Sequence, residues 1–180
     1  NLKHLVIAVD FPNCPWTRDM NNLRNSYNQA GYVSPEPGQT GSFNDFYIEN
    51  SYGQLSIVTT VVGPYRMAHN FEYYTTQVGE GVMVAEAVEA AAADGVDFST
   101  YDNDNNQMCD PICIAFAGYA AQGGAGSGHF YEFTWSLCGY GIPTTKNGVE
   151  VNCFYFIAEL RGASGSDPES ISAATHEFGH

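Results

Sequence analysis

Two histidines and a glutamate near the end of the sequence have the residue types and the spacing of a catalytic zinc site. His176, Glu177 and His180 belong to the pattern HEFGH, in which the histidines are four residues apart. On a helix this spacing brings both imidazoles to one side, where they can bind zinc. Zinc lowers the pKa of a bound water from about 15.7 to about 7. Glu177 directly follows the first ligand, so we expect it to accept that proton and pass it to a leaving amine.

The residues before the motif predict the helix that must carry it. Ile171, Ala174 and Phe178 fall on one helical face and would hold the helix against the core. Asp167 can cap a helix and Pro168 suits a first helical position, so the helix is predicted to begin near Pro168. The alternative is two unrelated histidines. With five histidines in 180 residues, a chance HExxH is expected on the order of 1% of the time.

The motif alone does not complete a catalytic zinc site. Such a site uses three protein ligands and keeps one position open for water, and HEFGH supplies two of the three. We expect the third ligand to come from chain beyond His180. His4, His69 and His129 are the other histidines, but nothing in their sequence setting recommends them over ordinary loop or edge positions.

An acidic loop is a candidate for a second metal. Residues 102–110, DNDNNQMCD, place side-chain oxygens at alternating positions, an arrangement that suits calcium. The loop is not an EF-hand, because Gln107 and Cys113 stand where that motif needs glycine and glutamate. An Asx-rich loop that forms its own backbone turns is an equally open interpretation. The candidate calcium ligands are Asp102, Asp104, Asn106 and Asp110.

Strand and helix patterns alternate along the rest of the chain, which predicts an α/β fold with a central sheet. A loop is predicted at 34–38, and Gly63-Pro64 is expected to end the second strand. Residues Val151 to Glu159 are the candidate edge along which an extended substrate would bind. Strands are predicted at 5–9, 55–62, 112–117 and 151–159, and helices at 19–30, after Ser42 as an N-cap, at 81–93 and from 168 onward.

The charge of the chain excludes some functions. The sequence has 20 acidic and 6 basic residues, a net charge of -14, which would repel nucleic acids and anionic membranes. No apolar run reaches the roughly 18 residues of a membrane-spanning helix. No leader is visible before the first predicted strand, so we expect a mature or excised piece of a secreted protein.

The cysteines are scattered and fit an oxidising compartment. None forms a CxxC pair, and we expect at least one disulfide, with Cys138–Cys153 as the candidate. The five are Cys14, Cys109, Cys113, Cys138 and Cys153.

Three segments in order resemble the secreted bacterial metalloprotease family of immune inhibitor A. They are GSFNDFYIENSYGQLSIVTTVVGPY, DFSTYDNDNNQMCD and AATHEFGH. LVIAVDFP and NCFYFIAEL are similar too, so the likeness runs along nearly the whole chain. The resemblance implies a metzincin-like twisted mixed sheet packed by helices, with the active-site helix at the C-terminal end. It also implies an exported zinc endopeptidase that often binds calcium.

Carried over by position, the resemblance makes His176 and His180 zinc ligands and Glu177 the catalytic base. Asp102 and Asp104, with Asp110, fall in the family's acidic loop. Relatives usually have a glycine in that loop, and often Trp-Ser-His where this chain has Trp135-Ser136-Leu137.

The family pattern continues past HExxH with a third ligand and a further subdomain. Residues 1–180 are therefore expected to be the N-terminal part of a catalytic domain, cut within its active-site helix. By itself this part is expected to be inactive, so the predicted activity is that of the full-length protein.

These observations predict a secreted zinc endopeptidase that acts on polypeptides. The alternative is a non-catalytic extracellular structural or binding protein built on a truncated or degenerate metalloprotease domain. A serine hydrolase is a weaker third interpretation, because no GxSxG is present and Ser164 and Ser166 lie in a glycine-rich connection.

Overall fold

A five-stranded mixed sheet forms the centre of the computed structural model, which describes residues 1–34 and 40–180. Its strands are β1 (Leu2–Asp10), β2 (Ile57–Arg66), β4 (Ile112–Tyr119), β5 (Thr134–Ser136) and β8 (Cys153–Leu160). They are ordered β2-β1-β4-β8-β5, and only β5 runs antiparallel to its neighbour. Three short strands, β3 (Met108–Cys109), β6 (Thr145–Lys146) and β7 (Val149–Val151), form a second sheet. The α/β prediction is confirmed.

In the described part of the chain, five α-helices pack around the central sheet. They are α1 (Met20–Asn28), α2 (Phe43–Asn50), α3 (Phe71–Tyr74), α4 (Gln77–Ala93) and α5 (Ile171–Phe178). The predicted cap at Ser42 is present as a capping box, in which Ser42 accepts from the backbone of Asp45 and Asp45 accepts from that of Ser42. Residues 35–38 of the predicted loop lie outside the described residues. Within the described part of the chain, no helix combines the length and the apolar character needed to cross a bilayer.

Alternating residues of the inner strands build two apolar cores, one on each face of the sheet. In β1, Leu5, Ile7 and Val9 face the layer that contains α4, whereas Val6 and Ala8 face the layer that contains α1, α2 and α5. Burial on both faces explains why β1 reads as a continuous apolar run. The second layer therefore positions α5 and the HEFGH motif.

The structure corrects the predicted end of the second strand. Gly63 and Pro64 lie inside β2, which continues to Arg66. The chain passes them through a register shift opposite Ile7 and Val9, where Gly63 adopts a φ of 90°. A Cβ at Gly63 would lie 2.4 Å from the Ala8 carbonyl oxygen, so glycine is required there. Proline is tolerated because β2 is an edge strand.

Two further predictions about the last third of the chain are wrong. Residues 151–159 do not form one edge strand: they divide between β7 and β8, and β8 lies between β4 and β5. The last helix begins at Ile171 with Ser170 as its N-cap, and Pro168 instead pairs with Leu160. The bridge between Pro168 and Leu160 holds the residues before α5 against the end of β8, so the helix begins later in the sequence than predicted.

All five cysteines are free thiols in the structure. The predicted Cys138–Cys153 disulfide is therefore absent. The Cys138 thiol instead lies 3.4 Å from the Glu150 carboxylate, to which it can donate a hydrogen bond.

Candidate metal centre

Helix α5 is held in place by its packing face. Ala174 is buried, and the Phe178 ring contacts four aromatic rings of the second core layer. Those rings belong to His4, Phe43, Tyr47 and Tyr155. A hydrogen bond of 2.8 Å from the Tyr47 hydroxyl to the Thr175 carbonyl oxygen adds a polar contact at the same end. The end of the helix that bears the motif is thus fixed to the sheet.

The structure brings the three residues of the motif together at the surface. The Nε2 atoms of His176 and His180 lie 3.3 Å apart, and the two rings are nearly perpendicular at 87°. One ligand atom from each histidine and from Glu177 lie within 4.8 Å of one another. Both histidines are exposed and Glu177 is half-buried. Gly179 keeps right-handed helical backbone angles, so His180 stays one turn beyond His176.

The separation of the two imidazoles fits zinc. Zinc lies about 2.0–2.1 Å from histidine nitrogens, so two ligands at a tetrahedral angle are about 3.3–3.4 Å apart. The observed distance between the two Nε2 atoms is 3.3 Å. Two imidazoles on a fixed helix end therefore form two corners of a zinc site with little rearrangement.

The other histidines do not join this group. His4 is buried, and its two ring nitrogens contact the Thr59 and Tyr155 hydroxyls at 3.1 and 2.9 Å. Burial lowers the pKa of His4 to about 3. His69 packs on Tyr73, and His129 packs on Phe71. Among the described residues, HEFGH supplies the one cluster of three or more His, Cys, Asp or Glu side chains with metal-binding proximity.

Thr134 is a site residue that no sequence pattern indicates. Its hydroxyl lies 2.9 Å from Oε2 of Glu177 and 2.9 Å from the backbone oxygen of the same residue. Thr134 is on β5, which is 43 residues earlier in the chain than Glu177. The contact depends on the antiparallel pairing of β5 with β8, which brings Thr134 to Glu177. The site therefore lies between an edge strand and the end of α5.

Glu132 is a second carboxylate beside the motif. Its Oε1 accepts from the Ala158 amide at 3.0 Å, and its Oε2 accepts from the Gln122 side chain at 3.0 Å. Burial, and then the charges of Glu169 and Glu177, raise the pKa of Glu132 to about 7. Near neutral pH the site therefore holds a carboxyl group that binds a proton readily.

We expect Glu132→Gln to stabilise the protein at alkaline pH. The folded protein holds the Glu132 proton more tightly than an ordinary glutamate with a pKa of 4.5. The free energy of unfolding therefore falls as pH rises from about 4.5 to about 7. Glutamine keeps an oxygen that accepts from the Ala158 amide. Because it does not titrate, the loss of stability with rising pH should disappear. The gain should be up to about 3 kcal/mol at pH 8 and close to zero at pH 4.

Urea unfolding of both proteins at the two pH values measures this difference. The exposed substitution Glu49→Gln is the control for the loss of one negative charge. Equal gains from both variants at pH 8, or an equal gain from Glu132→Gln at both pH values, would contradict the prediction.

The acidic loop largely satisfies its own backbone. Asp102 accepts from the amides of Asn106 and Gln107 at 3.0 Å each. Asp104 accepts from Asn106 at 3.2 Å, and Asn106 accepts from Met108 at 2.8 Å. These contacts correspond to the interpretation of the loop as a set of Asx turns.

Asp110 lies apart from these turns and accepts from the backbone and side chain of Asn103 at 3.0 and 2.6 Å. The described Asp and Glu side chains of this loop do not gather into a metal cluster of three. Calcium at this loop stays a prediction.

The prediction has a direct thermal test. If Asp102 and Asp104 bind calcium, adding calcium to metal-free protein at ten times its dissociation constant should raise the melting temperature by about 3–6 °C. Asp104→Asn should abolish the rise, because it removes a charged ligand. An unchanged melting temperature at millimolar calcium would leave the self-contained turn as the whole account of the loop.

Two cavities of the structure lie away from the motif. A cavity of about 570 Å³ runs along α4 beside Met67, Val82 and Ile142. Another, of about 270 Å³, lies near the ends of β1 and β4 and is lined by Cys14 and His129, among others. The candidate metal centre is therefore an open surface site.

No protein-family model matches the sequence, and a comparison with curated proteins finds no match. The chemistry of the site itself therefore has to support any functional proposal.

Proposed function

We propose that this protein is a secreted zinc-dependent endopeptidase, of metzincin-like architecture and related to the immune inhibitor A family. His176 and His180 would hold the metal, and Glu177 would be the general base. The observation that carries the proposal is the 3.3 Å separation of the two Nε2 atoms on one helix, with the Glu177 carboxylate beside them. The order of the resembling segments along the sequence supports the same family.

Different residues of the chain would bind the metal and transfer the proton in peptide hydrolysis. When bound, zinc would supply a Lewis acid that lowers the pKa of water and polarises the scissile carbonyl. Glu177 would accept a proton from the attacking water and return it to the leaving amine. Its Oε2 is hydrogen-bonded to Thr134, so its other oxygen can face the reacting groups.

The edge of the sheet offers a place for an extended polypeptide. Strand β5 is the last strand of the sheet on the side of the motif, and its inner edge pairs with β8. A substrate could add to its outer edge through backbone hydrogen bonds. β5 thus replaces the predicted edge at Val151 to Glu159. Thr134 of this strand contacts Glu177, so a peptide paired here would lie near the base.

Zinc content and casein cleavage test the proposal together. We expect the full-length protein, with the third ligand, to contain about one zinc per chain by elemental analysis, to cleave casein, and to lose this activity on treatment with 1,10-phenanthroline. Restoring zinc should restore cleavage. Absence of zinc from protein purified without chelators, and after addition of zinc, would overturn the proposal.

A structural or binding role is the second candidate. One observation favours it: Glu177 lies close enough to both histidines to bind the metal itself, which would leave the site without a general base. Bound zinc without casein cleavage would favour this role. The serine hydrolase interpretation gains nothing, since Ser164 and Ser166 are exposed on the turn between β8 and α5.

A further inference from the structure

Strand β5 contacts the candidate metal centre through Thr134. Side chains alternate along a strand, and in β5 the half-buried Thr134 turns toward α5 while the next residue, Trp135, is 50% exposed. Thr134 lies opposite Tyr155 of β8 in the ladder. Its backbone is therefore held in register with the sheet that also supports the end of α5.

The Thr134 hydroxyl is placed between two oxygens of one residue. It lies 2.9 Å from Oε2 of the Glu177 carboxylate and 2.9 Å from the Glu177 carbonyl. A hydroxyl has one proton to donate, so the two oxygens share it. Among the described residues, Thr134 donates the hydrogen bond that the Glu177 carboxylate accepts.

This contact restricts a side chain that is otherwise free to rotate. A glutamate has three side-chain torsions, and half-burial alone does not select one orientation of its carboxylate. The bond from Thr134 fixes Oε2 against the strand and directs the second oxygen away from it. The backbone contact also ties the last turn of the helix to the strand.

We propose that Thr134 is a positioning residue, which orients the Glu177 carboxylate toward the reacting water and couples the edge strand to the metal centre. This inference rests on the proposed function and adds a residue to it. A base held in one orientation loses less entropy on reaching the transition state, and a misplacement of about 1 Å can cost on the order of 100-fold in rate.

Kinetics of two substitutions test the role. Thr134→Val keeps the shape and the strand preference but removes the hydroxyl, and it should lower kcat by about 10- to 100-fold. KM and the zinc content should change little. Thr134→Ser keeps the hydroxyl and should retain most of the activity. Thr145→Val, at an exposed threonine of β6, is the matched control.

A second measurement needs neither metal nor activity. In metal-free protein, Thr134→Val should lower the folding equilibrium constant by about fivefold, the usual worth of one hydrogen bond. In a Glu177→Ala background the same substitution should have a smaller effect, because one acceptor is gone. A purely structural cap of the helix carbonyl would give equal effects in the two backgrounds.

The outcomes separate this inference from the proposed function. An active wild type with an unchanged kcat in Thr134→Val, or equal effects in the two backgrounds, would overturn the role of Thr134 alone. A zinc-loaded wild type that cleaves no polypeptide would overturn the proposed function, and the positioning role with it.

Discussion

Replacing Glu177 with alanine is expected to lower the turnover of peptide substrates by about 10²–10⁴-fold, the usual contribution of a general base. The zinc content should not change, because His176 and His180 carry the metal-binding nitrogens. Glu177→Gln should lose as much activity, since its amide still accepts a hydrogen bond from Thr134 but cannot take up a proton. The two variants thus separate proton transfer from simple loss of contacts.

Casein turnover, together with zinc analysis of each variant, measures the effect. Glu49→Ala, an exposed substitution on α2, is the control for removal of a glutamate. His176→Ala should lose both zinc and activity. Full activity in Glu177→Gln would rule out Glu177 as the base, and loss of zinc in Glu177→Ala would mean that the carboxylate is a ligand instead.

The second large effect is expected in acid and comes from His4. This side chain is buried among aromatic rings, and desolvation lowers its pKa from 6.5 to about 3. The unfolded chain therefore binds this proton below pH 6.5 while the folded protein does not. The stability is fully present above pH 6.5 and is lost as pH falls toward 3, with a total of roughly 4–5 kcal/mol.

Neighbouring groups do not cancel the effect of His4. The pKa values of Tyr27 and Tyr155 are raised well above 10 by burial, so both stay neutral in acid. Burial also raises the pKa of Cys113, to about 12. Glu132 acts in the opposite direction between about pH 4.5 and 7, but it is present in both proteins of the comparison below.

His4→Phe is the variant that tests this account. It should be less stable than the wild type at pH 7 by about 1–3 kcal/mol, because the Thr59 and Tyr155 hydroxyls lose their partner. Its stability should fall less between pH 6.5 and 4. Urea unfolding across this range gives both slopes, and parallel curves for the two proteins would contradict a titrating His4.

Local patterns predicted the elements whose residues act within a few positions of each other. The apolar run of β1, the N-cap at Ser42 and the packing face of α5 depend on neighbours in sequence, and each is present. The grouping of His176 with His180 is local for the same reason, because four residues on a helix fix their separation.

The predictions that failed depend on pairing between distant segments. Gly63 sits within β2 because of a close approach to Ala8, which no local pattern reveals. The start of α5 is set by a bridge between Pro168 and Leu160. β8 is an inner strand because Thr134 to Ser136 pair with it, and the same pairing brings Thr134 to Glu177.

The contact of Phe178 with His4 couples the stability of helix α5 to the stability of strand β1. The ring centroids lie 5.0 Å apart, one in the helix that carries the HEFGH motif and the other in the first strand. Any ligand that binds only the ordered helix end must also favour the ordered strand beneath it, by mass action. A substitution that destabilises β1 should therefore weaken metal affinity through the aromatic cluster, although it changes no residue of the HEFGH motif.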